Sequence, residues 1–282
     1  MSPPGTLYVV ATPLGHLGDL SARVIETLRS VDTVAAEDTR RTLGLLSSIE
    51  AHPRLLSYHA HSTDTRADAL LAVLTAGRDV ALVTDAGTPA ISDPGHELVA
   101  AARAAGIPVV PIPGPSAVAT ALSAAGLPGD RYLFLGFIPR KGPERKRLIG
   151  RAASESWTVV CFEAANRLPE LLVDLATACG PERSAVVCRE LTKLHEEFRA
   201  GTLAALAAHY EETPARGEVT LVLAGRGEDG GDDEPAIDPA EIVAAVRRGL
   251  DAGESRKDLV RMVSTRFGLP RNDAYRLVMD QS

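Results

Sequence analysis

Short apolar runs alternate with amphipathic stretches along most of the chain. Leu7–Thr12, Thr33–Ala36, Arg54–His59, Asp79–Thr84 and Ile107–Ile112 are brief, aliphatic and bounded by polar or turn residues, and they read as strands. Between them, Ala22–Ser30 carries Val24, Ile25 and Leu28 on one helical face. Thr65–Ala76 and Glu97–Ala105 also repeat with helical spacing, the second ended by Gly106. The alternation predicts a largely parallel sheet covered by helices. Pro111, Pro113, Gly114 and Pro115 then punctuate the chain, and a helix is expected over Ser116–Ala125.

A second α/β unit follows. Tyr132–Phe137, Trp157–Phe162, Ala185–Glu190 and Glu218–Ala224 read as strands, with helices near Glu144–Ala153, Leu168–Ala178 and Leu203–Tyr210. The pattern divides the chain into an N-terminal α/β domain over 6–115, a C-terminal α/β domain over 116–226, an acidic linker over 227–237 and a helical tail over 238–282. In the tail, Ser255 followed by Asp258 resembles a capping box, and Gly268–Pro270 should break it into two pieces.

Composition narrows this picture. Hydrophobic residues make up 45 % of the chain and aromatic ones 4 %, so the core must be aliphatic, as suits buried parallel strands. The net charge of −7 argues against nucleic acid until its distribution is seen. Seven acidic residues (Glu228, Asp229, Asp232, Asp233, Glu234, Asp238, Glu241) lie between Gly227 and Glu241, carry the whole excess and leave the rest neutral with local basic clusters. The three cysteines are scattered, with no metal-ligand spacing, so no metal is expected and a reducing, cytoplasmic setting is. The start MSPPGTLYVV lacks signal-peptide character, and no apolar run approaches the roughly 18 residues of a membrane span.

Candidate chemistry gathers in three proline- and glycine-containing loops that follow strands: Thr12–Asp19, Asp85–Gly95 and Pro113–Ser116. In open α/β sheets ligands bind at the carboxyl ends of strands, where such loops sit. Glycine allows close approach of the backbone to a ligand, and proline reduces the ordering cost of binding. None has the spacing of a dinucleotide or nucleoside-triphosphate loop. Tight turns without a ligand are the plainer alternative, weakened by there being three at equivalent strand ends.

The stretch DAGTPAISDPGHEL (85–98) resembles the signature of the ribosomal RNA small subunit methyltransferase I family, within the tetrapyrrole-methylase superfamily. Further similar segments follow the family order: LYVVATPLGHLGDL (7–20), AAEDTRRT (35–42), PGPSAV (113–118), GFIPRKGPERKRL (136–148) and RELTKLHEEFRAGTL (189–203). The resemblance covers about residues 6–225. It departs from the family at His16, at Ala164-Ala165-Asn166-Arg167 and after the His59–His61 segment.

The resemblance implies two α/β domains with S-adenosyl-L-methionine in the cleft between them, usually in a homodimer. It implies 2′-O-methylation of a cytidine ribose in the decoding centre of 16S rRNA, within the small ribosomal subunit. It places cofactor contacts at Thr12, Pro13, Asp85, Ala86, Gly87, Thr88, Pro89, Pro113, Gly114, Pro115, Ser116, Ala117, Phe162 and Glu163.

Glu37-Asp38-Thr39-Arg40 reads either as a surface ion pair with a helix N-cap at Asp38 or Thr39, or as a site facing the substrate, with Arg40 and Arg41 suited to bidentate phosphate contacts. Glu190, Lys193, His195, Glu196 and Glu197 form a second polar cluster, either a solvated charge run or, for Glu190 and Lys193, part of the cleft. Methyl transfer is chiefly a positioning task, but a weakly acidic hydroxyl needs a proton acceptor. Glu37, Asp38, Glu190 and Lys193 are the candidates, with Arg40 beside them; a lysine would require a lowered pKa. The basic run Arg140, Lys141, Arg145, Lys146, Arg147 and Arg151 reads as a solvated helix face or a phosphate-tracking surface, and the basic tail as an RNA contact or a helical cap. A tetrapyrrole or corrinoid methyltransferase on the same fold and an inactive ribosome-binding factor are the rival readings.

Overall fold

In β2 (Thr33–Ala36) and β4 (Val80–Val83) every side chain is buried, because helices cover both faces of the sheet to which they belong. The computed structural model describes residues 3–59, 64–227, 239–251, 253–266 and 271–280. It divides into two units, Met1–Arg226 and Gly227–Ser282. In the first unit β2 and β4 join β1 (Leu7–Val10), β3 (Arg54–Ser57) and β5 (Val109–Ile112) in a parallel sheet of order β3-β2-β4-β1-β5.

Successive strand residues serve opposite faces. Val34, Ala36, Ala81 and Val83 pack against α1 (Ala22–Ser30) and α2 (Thr39–Ser48). Ala35, Val80 and Leu82 pack against α3 (Asp64–Thr75) and α4 (His96–Ala104). Each fully buried Val or Leu contributes about 1.5–3 kcal/mol relative to an exposed one. Pro111 lies on β5, at the sheet edge, where the amide hydrogen it lacks is not needed by a neighbour.

The second sheet has order β6-β7-β10-β8-β9, formed by β6 (Tyr132–Phe137), β7 (Thr158–Ala164), β8 (Ser184–Arg189), β9 (Glu197–Thr202) and β10 (Glu218–Leu223). Only β6 and β7 run parallel; the other three pairings are antiparallel. One face packs on α6 (Pro143–Ser154), α7 (Leu168–Cys179) and α8 (Leu203–Glu212). The other receives α5 (Ala117–Ala125), whose Val118 and Ala121 lie against Val160, Val186 and Val222. Arg183 pins this half together by donating to four carbonyls, those of Ala152, Ala153, Glu155 and Ala224.

The second sheet is mixed because β10 runs antiparallel to β7 and β8, and β8 returns through a short loop into β9. Two features depart from the sequence expectation. Strand β9 was not expected: EFRAGT is polar, sits at the sheet edge and has no buried position. The whole of α2 was anticipated only as a possible N-cap, and Asp38 does cap it by accepting from the Arg40 amide at 2.8 Å.

The second unit contains α9 (Pro239–Asp251), α10 (Arg256–Arg266) and α11 (Arg271–Asp280) around Val246, Leu259, Val263, Ala274 and Val278. The capping box precedes α10: Ser255 Oγ accepts from the Asp258 amide at 3.2 Å and donates to its carboxylate at 2.6 Å. Nearly all of the acidic linker, Gly268–Pro270 and His61 lie outside the described residues.

Candidate active site

The carboxyl ends of the parallel strands carry the three loops, and main-chain bonds tie the loops together. Thr12 and Gly87 exchange both backbone hydrogen bonds, at 2.8 and 3.0 Å. Thr12 Oγ1 donates to the Thr84 carbonyl, and Thr88 Oγ1 donates to the Pro115 carbonyl, each at 3.0 Å. Gly87 holds φ +85°, and a β-carbon there would lie 3.3 Å from Leu14 Cδ2. Gly114 crosses Ala11 so closely that a β-carbon would meet its methyl at 3.0 Å.

Above these loops a cavity of about 370 Å³ opens between the two sheets, within the range of small-molecule sites. Asp85, Ala86, Gly87 and Thr88 line it from the first half, and Ser116, Ala117, Phe162 and Glu163 from the second. Thr12, Pro13, Pro89, Pro113, Gly114 and Pro115 are not in its wall; Thr12 and Pro115 instead hold the wall residues through the bonds above. The apolar surface includes Leu14, Val118, Phe137, Leu191 and Val219. Phe137 reaches it through a bulge: three residues of β6 from Phe134 span two of β7, with Gly136 at φ +64°, and the ring meets Phe162 edge-on at 5.4 Å.

Five carboxylates line the same space: Glu37, Asp85, Asp93, Glu163 and Glu218. Three face cations. Asp85 lies 3.5 Å from Arg41 and accepts from the Asp38 amide at 3.0 Å. Glu163, fully buried, is paired with Arg167 at 2.9 Å, and Glu218 with Lys193 at 2.9 Å. Among the described residues no cation pairs with Glu37 or Asp93. Glu37 accepts from Thr84 Oγ1 at 2.9 Å. Burial, reinforced by the charges of Glu37, Asp85 and Glu218, raises the Asp93 carboxyl to about 6, against the opposing hydrogen bond of Thr84. The loop that delivers Asp93 is strained: Ala90 and Ser92, neither a glycine, have φ of 67° and 63°.

Of the other charged residues singled out from sequence, Arg41 shares the cavity wall, while Asp38, Arg40, Glu190 and Lys193 lie beside it. Arg40, with an 89 % exposed side chain, folds back on Asp38, and this hydrogen bond holds the Asp38 carboxyl down at about 2. Glu190 adopts φ +52° and its Oε1 accepts from Lys193 Nζ and the Glu218 amide, both at 3.0 Å. Burial pushes Glu190 up, but the Glu218 amide and Lys193 outweigh it and leave it below the usual range. Burial likewise pushes Lys193 down, yet the carboxylates of Glu218 and Glu190 together raise it. A lysine base needs the reverse. The Lys193 stem packs on Gly15, and Thr192 Oγ1 accepts from the His16 amide at 3.2 Å, so this turn bridges the two halves.

Sequence reasoning did not single out Asp93, Thr84 or Glu218. Asp93 lay inside the 85–98 signature, but nothing there distinguished its carboxylate from a turn-forming aspartate. Glu218 opens a strand, and its nearness to Lys193 depends on sheet order. The basic run near α6 is largely neutralised. Arg145 is buried against Asp174 at 2.6 Å, Arg147 pairs with Glu144 and Arg151 with Glu155. Arg140, Lys141 and Lys146 remain exposed.

The sequence profile of the tetrapyrrole (corrin/porphyrin) methylases matches residues 6–207. The ribosomal RNA small subunit methyltransferase I of Synechocystis sp. is 44 % identical over 98 % of both chains. That of Xylella fastidiosa (strain Temecula1) is also 44 % identical, over 98 % of this chain and 99 % of its own. The solved uroporphyrin-III C-methyltransferase of Thermus thermophilus, complexed with S-adenosylhomocysteine, shares the fold at a TM-score of 0.56 and 18 % identity, over 78 % of this chain and 97 % of its own. The chain thus belongs to the tetrapyrrole methylase family and, within it, to the ribosomal RNA small subunit methyltransferase I family.

Proposed function

We propose that this protein transfers a methyl group from S-adenosyl-L-methionine to the 2′-hydroxyl of a cytidine ribose in 16S rRNA. The target lies in the decoding centre of the small ribosomal subunit, and the enzyme acts in the cytoplasm as a homodimer. One observation carries the reading: likeness to ribosomal RNA small subunit methyltransferase I relatives at 44 % identity runs through 98 % of the chain. No helix among the described residues is long and apolar enough to cross a membrane.

The cavity suits the cofactor. Phe162, Val118 and Leu14 offer an apolar slot for an adenine ring, the loop backbones offer hydrogen bonds, and the carboxylates surround a place for a cationic sulfonium. Domains over 6–115 and 116–226 hold it, through Asp85–Thr88, Ser116–Ala117 and Phe162–Glu163 in the cavity wall, with the Thr12–Pro13 and Pro113–Pro115 segments bracing the wall from behind. When bound, the cofactor supplies an electrophilic methyl group. The protein contributes alignment, exclusion of water and a destination for the hydroxyl proton. Of the four acceptors considered from sequence, Asp38 is locked to Arg40, Glu190 is bonded to Lys193 and Glu218, and Lys193 holds its proton tightly. Glu37 alone lines the cavity without a cationic partner among the described residues.

The test supplies labelled S-adenosyl-L-methionine to purified protein, with small subunits from a strain lacking the gene, free rRNA and a uroporphyrin-type tetrapyrrole in parallel. Label on one ribose 2′-oxygen of subunit RNA is expected. Label on the tetrapyrrole alone would overturn the RNA reading.

A further inference from the structure

Two apolar side chains of the cavity wall keep about half their surface open to solvent. Phe137 is 57 % exposed and Ile91 48 % exposed, although both line the cavity. Irregular backbone delivers each of them. Phe137 ends the β6 bulge, after Gly136 at φ +64°, and Ile91 sits between Ala90 and Ser92, both left-handed. The two segments touch, since a β-carbon on Gly136 would lie 3.2 Å from Ser92 Oγ. Conformations of this kind persist only where the surroundings enforce them. Beside Phe137 two arginines do so. Arg167, paired with Glu163, donates to the Ile138 carbonyl. Arg145, buried and paired with Asp174, donates to the Pro139 carbonyl at 3.0 Å. Directly after these two clamped carbonyls come Arg140 and Lys141, both exposed, and Lys146 is exposed one turn into α6. Among the described residues none of these three cations has an ion-pair partner, and the neighbouring Glu144 is taken by Arg147.

We propose that this lip of the cavity seats the target nucleotide in a single-stranded form, its base stacked on the Phe137 ring beside Ile91 and its flanking phosphate held by Arg140 and Lys141, with Lys146 adding to the field; this rests on the methyltransferase reading above. Unpaired RNA offers a flat π face and a phosphate within one nucleotide, and an exposed ring next to free cations is the matching surface. Three residues separate Phe137 from Arg140, a reach of at most about 10 Å, the scale of a nucleotide from base to phosphate. Charge fixes the orientation. Five carboxylates and one arginine, Arg41, line the interior, so a phosphate is repelled from the cavity and drawn to the lip, while the uncharged ribose can enter. The two guanidinium clamps hold the segment in place before RNA arrives, which lowers the ordering cost of seating the base. Phe162, which Phe137 meets edge-on, is left to the cofactor.

Two measurements decide it. The first is methylation of small subunits at varied subunit and salt concentration by wild type, Phe137→Leu, Phe137→Tyr and the double variant Arg140→Gln/Lys141→Gln. Phe137→Leu keeps an apolar wall but no ring, and should lower kcat/KM for the subunit by roughly 5- to 100-fold. Phe137→Tyr, which keeps the ring, should restore most of the loss. The double variant should weaken subunit binding and reduce the slope of log affinity against log salt by about 1 to 2. Calorimetry should find S-adenosylhomocysteine binding within a few-fold of wild type in all of them, and sedimentation an unchanged oligomeric state. The second measurement reads no activity. The indole fluorescence of Phe137→Trp in a Trp157→Phe background should be quenched by a single-stranded oligocytidylate and not by an abasic ribose phosphate of the same length. Phe137→Leu as active as Phe137→Tyr, or equal quenching by the two oligomers, would overturn the stacking. Cofactor affinity that falls in step with kcat/KM, or an altered oligomeric state, would make Phe137 a cofactor or subunit contact and overturn it too. An unchanged salt slope would overturn the phosphate contact. If wild type methylates no RNA, the functional reading falls, while the quenching still judges the lip.

Discussion

Thr12 and Gly87 exchange both of their backbone hydrogen bonds across two loops that are far apart in sequence, at 2.8 and 3.0 Å. Side chains play no part in that pairing, and the glycine is essential to it. With φ at +85°, an alanine would incur roughly 1–2 kcal/mol of backbone strain and press on Leu14. Gly87→Ala should therefore weaken S-adenosylhomocysteine binding by about ten-fold with the fold intact. Calorimetry measures the affinity, and circular dichroism checks the fold; unchanged affinity would show that the Thr12–Gly87 bridge does not shape the cofactor site.

Arg183 donates to four carbonyls at distances of 2.8–3.2 Å, joining the end of α6, the approach to β7 and the end of β10. Methionine keeps much of the length of the side chain but none of the five donors of the guanidinium. Arg183→Met should remove about 3 kcal/mol of stability and lower the melting temperature by about 6–12 °C. Thermal unfolding followed by circular dichroism measures this.

Cys161 and Cys188 are buried on β7 and β8, and burial pushes both thiols up to about 12. At pH 8 about one molecule in ten thousand carries either thiolate, so neither should be alkylated in the folded protein. Cys179, half-buried at the end of α7, should react first. Intact-mass analysis after iodoacetamide at pH 8 should show one adduct, rising to three after denaturation.

Asp93 also links stability to pH. Its folded pKa of about 6 lies above the ordinary aspartate value of 3.8, so the folded state binds its proton more tightly than the unfolded state. The ionised group therefore destabilises the fold at pH 7.5. That penalty is relieved as pH falls through 6 and is gone by about 4. Partial exposure to solvent reduces the effect to on the order of 1 kcal/mol. Asp93→Asn should be more stable than wild type at pH 7.5 and lose that advantage by pH 4.5. Urea unfolding of both proteins at the two pH values measures the difference.

The first sheet was largely legible in the sequence because burial on both faces leaves unbroken aliphatic runs, as in VALV at 80–83. What escaped was polar. β9 takes its conformation from pairing with β8 along its whole length rather than from its own pattern. The α2 helix begins with TRRT, whose charges hid the Leu45 and Leu46 side chains that pack below it. In the site, the resemblance located the loops from their glycines and prolines. It could not distinguish Asp93 from Asp38, since the contrast is one of surroundings: Asp93 is held among other carboxylates, Asp38 beneath the guanidinium of Arg40.

The cradle under the cavity is held in large part by main-chain atoms: Thr12 and Gly87 pair through their backbones, and the hydroxyls of Thr12 and Thr88 donate to backbone carbonyls. A scaffold of that kind is nearly blind to mutation at most of its positions, because any residue supplies the same amide and carbonyl. Drift is then free to repaint the walls, exchanging an aromatic ring or a carboxylate that meets the acceptor molecule, while the floor keeps its shape. One architecture can in this way change the molecule it modifies through a few side-chain substitutions, without inventing a new place to hold the methyl donor.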